Sequence, residues 1–517
     1  MKKRLLGMLS LLMAALLLSG CGSYGAQTLN STPSTESRPD TLADIEAFTV
    51  DTVVSSGSAA AAGEILITLR DSGSEAQDGS VRIDGATVTI TEAGSYRLSG
   101  TLSNGQIAIR ASEEAKVKLI LDGADISCQG SAAIYAVSAS KLVVSTAAGS
   151  SNRISSVGEF IQTDDNTVDA AIFTKCDLTF NGEGSLAISS ETKHGAVSKD
   201  DMKIKSGTIS IAAHTDAIQV KDKLTVDGGA LYLTAGDDGI HADELLTVNG
   251  GEINVLSSYE GLEAQDIVIN DGLIRITASD DGINAAGGSD SSNHFGFSGN
   301  PFASDRGSSL TINGGLVYVN AEGDGLDANG ELLVTGGSVY VSGPTNNGNG
   351  ALDYGTSATI TGGTVIAAGA SGMAENFGSQ STQGSILLNL PSTASAGSTV
   401  SISDENGELL ASYAPEKSFQ SVVISTEGLV IGGTYTVTVG SYSTSITLDS
   451  LIYGSGMGGH GGHGAMGGRG EFGGMGGPGD SGDMGMPGDF GDMEPPGDFG
   501  GMGGPGGHGG MGGGPHP

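Results

Sequence analysis

The 517-residue chain has no tryptophan. A WD-type propeller blade carries that residue and runs to roughly 40–45 positions, so that repeat class is excluded. Basic residues are scarce: 23 Lys and Arg stand against 59 Asp and Glu, a formal net charge of -36. Nothing here would neutralise a phosphate backbone, which excludes nucleic acid as a partner. The same acidity suits a soluble surface or the holding of divalent cations. No stretch shows helical periodicity, and no Gly-x-Ser-x-Gly nucleophile elbow occurs in a strand-turn-helix setting. Cysteine numbers three. Cys128 and Cys176 leave two readings open, a disulfide in an exported protein or two separately buried thiols.

Long apolar runs are also missing beyond Leu5 to Leu18, which follows Lys2, Lys3 and Arg4 and closes on Leu18-Ser19-Gly20-Cys21. This is a signal-peptide pattern over 1–20, too short for a membrane span. Its ending resembles a bacterial lipobox. That implies cleavage before Cys21, lipidation of Cys21, and a chain exported and anchored on the outer face of a bacterial cell membrane. Residues 21–63, rich in Ser, Thr, Pro and Ala, read as a flexible linker.

What is present is a repeat of about 22 residues. Its marker is Asp238-Gly239-Ile240-His241-Ala242, followed by Glu260-Gly261-Leu262-Glu263-Ala264, Asp281-Gly282-Ile283-Asn284-Ala285 and Asp324-Gly325-Leu326-Asp327-Ala328. Asp216-Ala217-Ile218 precedes them; Ala351-Leu352-Asp353 and Gly372-Met373-Ala374 are degraded copies. Each repeat holds three short strands with corners at Gly228-Gly229, Gly250-Gly251, Gly314-Gly315 and their equivalents. Three strands per turn predict an all-β chain: a parallel β-helix over 64–378. A polar insertion is read at about 149 to 168, and an extra loop from Gly287 to Ser309 carries Phe295, Phe297 and Phe302. Residues 379–453 read as a small antiparallel β module capping the open end. Residues 454–517 are about half glycine, lack a strict Gly-X-Y period, and read as a disordered tail. Its His460, His463, His508 and His516, with several Met, suit a weak soft-metal site or a plain spacer.

In a β-helix, equivalent residues of successive coils stand about 4.8 Å apart. Asp216, Asp238, Glu260, Asp281 and Asp324 therefore form an acidic column, with a second at Glu263, Asp327 and Asp353 and with Asp237 and Asp280 nearby. Like charges at that spacing repel by about 0.9 kcal/mol in water and about 3.5 kcal/mol at an effective dielectric near 20. Calcium would neutralise the column, since it takes six to eight oxygens. The alternative is that Asp merely suits Asp-Gly turns facing solvent. A second row, Tyr232, Arg275, Tyr318 and Tyr340, lies on the outward side of the long strand. Aromatic faces there suit a polysaccharide, or cross-strand packing alone. A calcium-dependent lyase would also need a base, for which Lys221 or Lys223 stands near the acidic turns.

The chain resembles the calcium-binding, right-handed parallel β-helix carbohydrate-binding domain of bacterial surface proteins, first recognised in cellulolytic clostridia. The matching stretches are Val88 to Gly100, Val117-Lys118-Leu119-Ile120-Leu121-Asp122-Gly123, the Asp-Gly-Ile/Leu turns, and Pro415 to Phe419 with Gly433-Thr434-Tyr435. The resemblance implies a pectate-lyase-like fold, calcium among the acidic turns, and non-catalytic binding of cellulose or polygalacturonate-like polysaccharide. A pectate lyase and a structural adhesin or wall-matrix protein remain the alternatives. His194-Gly195-Ala196, Ala351-Leu352 and Gly372-Met373 depart from the pattern.

Overall fold

The computed structural model describes residues 48–286 and 307–454. Cys21, the three phenylalanines of the inserted loop and the tail histidines lie outside the described residues. Those described form strands and no helix, so no helix among them is long and apolar enough to cross a membrane.

The 22-residue period becomes a parallel β-solenoid of about 11 turns. One coil runs through Ile218–Val220, Lys223–Val226 and Ala230–Thr234. In the next, Ile240–Val248 bends through a corner and serves two sheets before Glu252–Ser258. Strands pair in parallel with their equivalents one coil on. In the first sheet the register runs Ile218, Ile240, Leu262, Ile283, Leu326, Leu352. In the second it runs Leu224, Leu246, Ile267, Leu310, Leu332, Ala358, and in the third Leu231, Ile253, Ile274, Val317, Val339, Val365. All these side chains are buried. A strand's period of two sends every other residue inward, and the repeat stacks like on like.

Two kinds of glycine hold the corners. Gly251 has φ 91°, a left-handed conformation that disfavours a side chain. Gly282 serves close approach instead: a Cβ there would lie 2.2 Å from Val319 Cγ1 and 2.7 Å from the Gly325 carbonyl oxygen. Beside the glycine corners runs an amide ladder. Asn249 Nδ2 donates to Asp227, Asn270 Nδ2 to Asn249 and Asn313 Nδ2 to Asn270, each at 2.9 Å.

Both ends are closed against edge pairing, a hazard for any open sheet. At the start, Glu64–Leu69 pairs in parallel with Gly94–Leu102, and Val81–Asp84 forms a hairpin with Thr87–Ile90. Arg97 bridges Glu64 (2.8 Å) and Asp122 (2.9 Å), joining two of the stretches on which the family resemblance rests. At the far end Phe419–Ser425 pairs antiparallel with both Thr364–Gly369 and Ser385–Ala394. A separate four-stranded antiparallel sheet follows, in the order Leu409–Tyr413, Val400–Ser403, Thr434–Val439, Tyr442–Thr447.

Two expectations are corrected. Ser151–Val157 is a coil strand pairing with both neighbours, so the insertion starts only after it. Its apolar residues Phe160 and Val168 pack with Tyr135, Phe173 and Val197. Within the expected linker, residues from Phe48 to Ser56 lie on the solenoid: Val54 bridges Ser151, and the Ser56 amide donates to Asp122. Of the two readings open for Cys128 and Cys176, the structure has separate, buried free thiols.

Candidate functional site

The acidic turns stack as the period requires. The Gly239 amide donates to the Glu260 carbonyl (3.0 Å), Gly261 to Asp281 (3.0 Å), and Gly282 to Asp324 (2.9 Å). The inserted loop leaves no gap, because Ile283 pairs directly with Leu326. Three positions after the acid of each turn, an outward column reads Gln219, His241, Glu263, Asn284, Asp327, and it continues to Asp353 in the degraded copy. Traced back, it continues into Val197, Phe173 and Tyr135, so one stripe of the surface changes from apolar to acidic along the solenoid.

The acidic stretch divides in two by charge balance. In the first part a histidine is wrapped by carboxylates. His241 Nδ1 lies 2.6 Å from Glu263 Oε2 and 3.1 Å from Asp238 Oδ2, and its Nε2 lies 3.3 Å from Asp243 Oδ1. Burial disfavours a charged imidazole, yet hydrogen bonds to Asp238, Asp243 and Glu263 outweigh it and raise its pKa. Burial holds Asp238 well above the ordinary carboxylate range. At Glu263 burial acts the same way, but the His241 hydrogen bond outweighs it and the carboxyl sits low. Asp237, half-buried beside Asp216, is raised chiefly by desolvation.

The second part has no such partner. Among the described residues, Glu260, Asp281, Asp324, Asp327, Asp353 and Glu375 make no ion pair with Lys, Arg or His. Burial first, then the neighbouring carboxylates, pushes Asp327 up to about 9, Glu260 to about 8 and Asp281 to about 7. Asp324 rises to about 6 and Glu375 to about 8 by the same causes. Ligand oxygens of Asp281, Asp324 and Asp327 all lie within 4.8 Å of one another. Asn284, side by side with Asp327 in register, donates its Nδ2 to Glu260 at 2.8 Å. Its Oδ1 is buried without a hydrogen-bond partner among the described residues, and Asn284 is only 7% exposed. Asp280 flanks the cluster and adds to the charge acting on Asp281 and Asp324. Carboxylates plus one unused amide carbonyl make an all-oxygen donor set, the set that calcium takes.

The tyrosine row is placed differently from the expectation of an open face. Tyr318 and Tyr340 do stack on adjacent coils, with ring centroids 5.2 Å apart. Tyr413 of the C-terminal module then covers them, 4.9 Å from Tyr340, and bonds Ser342 through its hydroxyl (2.8 Å). Tyr340 is only 7% exposed. Arg275 is engaged by Glu252 (2.8 Å) and Asn254 (3.1 Å), and Tyr232 meets Phe48 at 5.9 Å. The third sheet's outward face is thus occupied at both ends by the chain's own segments. The reason is burial: apolar rings on a flat face are covered when a segment can reach them.

Lys221 is bonded to Asp243, which holds its ammonium above the usual range, opposite to what a base requires. Lys223 pairs with Glu244 at 3.6 Å, exposed. Three participants escaped sequence reasoning: His241 as a charged partner, Asn284 as an oxygen donor, and Glu375. The first two occupy the position of Glu263 and Asp327 in the repeat, so alignment of the repeats carries the signal that would have found them. Glu375 directly follows the most degraded copy, where the motif had faded.

The family model described as "carbohydrate-binding domain-containing protein" matches residues 84–348 and 237–462. A protein of that same description from Acetivibrio thermocellus is 34% identical over 138 residues, covering 25% of this chain and 48% of its own length. The chain therefore spans about half the length of that curated relative. A solved structure described as a polysaccharide lyase-like protein from C. thermocellum, a gadolinium derivative, is 23% identical. It matches 58% of this chain and 96% of that one, with a TM-score of 0.37. On the extent of the family match, the chain belongs to the carbohydrate-binding domain-containing proteins.

Proposed function

We propose that the protein binds a polysaccharide of the cellulose or polygalacturonate class without cleaving it. In this reading the solenoid carries calcium and stands on the cell surface through a lipid at Cys21. The observation that carries it is the cluster around Asp281, Asp324 and Asp327, which has no ion pair among the described residues, with Asn284 Oδ1 meeting no donor among them. Glu260, Asp353 and Glu375 complete the set. Calcium bound there would cancel the mutual repulsion of the column and stiffen the coils that carry the binding surface.

The second sheet supplies a flat face for the glycan. Its outward row runs Thr225, Thr247, Val268, Thr311, Leu333, Thr359, each partly exposed. Strand spacing sets these groups about 4.8 Å apart, a regular array of hydroxyl and apolar contacts suited to an extended sugar chain. Support for non-catalytic binding comes from Lys221, whose pairing with Asp243 keeps it protonated.

The test is incubation of the full chain with polygalacturonate and with cellulose, in calcium or chelator, followed by ultraviolet absorbance and pull-down. Retention without new absorbance is expected. Thr247→Ala with Thr311→Ala should lower retention several-fold while the circular dichroism spectrum is unchanged. Rising absorbance would make the protein a lyase, and retention by neither glycan would overturn the reading.

A further inference from the structure

The ladder's first part differs in donor chemistry from its second, because it presents a nitrogen. We infer that Asp238, His241 and Glu263 form a binding site for a borderline divalent transition metal such as Zn²⁺. This goes beyond the calcium reading and does not depend on it.

The geometry supports the assignment. The three ligand atoms lie within 4.8 Å of one another, and all three residues are buried. A tetrahedral zinc with bonds of roughly 2.0–2.1 Å sets its ligand atoms about 3.3 Å apart. His241 Nδ1 and Asp238 Oδ2 stand at 3.1 Å already; Glu263 Oε2, at 2.6 Å, needs to open by less than about 1 Å. One nitrogen carries at most one proton, yet two carboxylates converge on it. A cation in that place serves both and displaces the proton.

A supporting shell is already built. Asp243 faces the other ring nitrogen, Nε2, at 3.3 Å, and Lys221 holds Asp243 in turn. A carboxylate on the far nitrogen is the usual orienting partner of a metal-bound histidine. An independent sign is Asp216, one coil back in the acidic column. Its side chain is 1% exposed and its Oδ2 accepts no hydrogen bond among the described residues. Oδ2 lies 3.1 Å from His194 Nδ1, a nitrogen that also meets Thr215 Oγ1 (2.8 Å) and the Asp216 backbone N–H (3.3 Å). Asp216 thus sets a buried carboxyl group beside Asp238, whose backbone N–H donates to its other oxygen, Oδ1, at 3.3 Å. An imidazole favours zinc, copper, iron or nickel over calcium, so the two parts of one ladder would sort two classes of metal.

The experiment is equilibrium dialysis of the chelator-stripped full chain against buffered Zn²⁺ and, separately, Ca²⁺. Wild type, His241→Gln and Asp327→Asn are compared, and folding is checked by circular dichroism. All carry the same tail histidines, so differences report the ladder. His241→Gln should lose one zinc per chain, its affinity falling at least about 100-fold, with calcium uptake unchanged. Asp327→Asn should do the reverse, so failure of the calcium reading shows as calcium retained there. Equal zinc in wild type and His241→Gln overturns the site. Should His241→Gln fail to fold, Asp243→Asn keeps all three ligands and should weaken zinc about 10–100-fold. Unchanged zinc affinity in that variant overturns the proposal equally.

Discussion

Asp327 shows how one residue's charge can work against the fold that holds it. Burial, then the charge of Asp281, pushes its carboxyl up to about 9. Asp281, Asp324 and Glu260 are raised to about 7, 6 and 8. Each folded pKa lies above the unfolded value near 4, so between those values the folded chain holds more protons than the unfolded one. Stability must then fall as pH rises through that window. Without divalent cations, the melting temperature is expected to drop by several degrees between pH 5 and pH 9. Calcium should flatten that drop, and a metal-free melting temperature that rises over the range would contradict the assignment. Asp327→Asn removes the charge and keeps the shape. It should raise the metal-free melting temperature while reducing the calcium-induced increase to near zero in differential scanning fluorimetry. The acids themselves were legible in the repeat. Their division by charge was not, since it depends on His241 lying within reach of Asp238, Asp243 and Glu263 together.

For the coil as an element, the motif's glycine and acid have separate duties. The acid lines the ladder; the glycine lets neighbouring coils approach. Gly282→Ala would drive a methyl into Val319 and the next coil's backbone, so a loss of about 1–3 kcal/mol is expected in chemical denaturation. A neutral result would show that the coils can separate at that corner. Period, strand positions and inward residues were readable because alternation and repetition are local. The strand Ser151–Val157, inside the expected insertion, was hidden because its polar residues read as loop. Pairing with Asp125–Gln129 and Ser185–Ser190 makes it a strand. The tyrosine row was legible as a stack of rings on adjacent coils. Its covering was not, because Tyr413 belongs to the C-terminal module, far from Tyr340 in sequence.

Across the whole molecule, export and anchoring rest on the N-terminal pattern alone. A Cys21→Ser chain is expected to leave the membrane fraction on cell fractionation and detergent partitioning, whereas wild type stays with it. Equal partitioning would remove the lipid anchor from the account. Sequence by itself determined the solenoid, its period, the capping β module and the acidic column, since each follows from residues a fixed step apart. Only the tertiary structure decided which faces are open. It laid Phe48 to Ser56 along the third sheet, closed the tyrosines under Tyr413, and left the threonine row of the second sheet outward. It also set His241 among three carboxylates and left Asp281, Asp324 and Asp327 without an ion pair among the described residues. The physical reason is that burial and charge balance are properties of neighbours in space, and here those neighbours lie a coil or a whole module away in sequence.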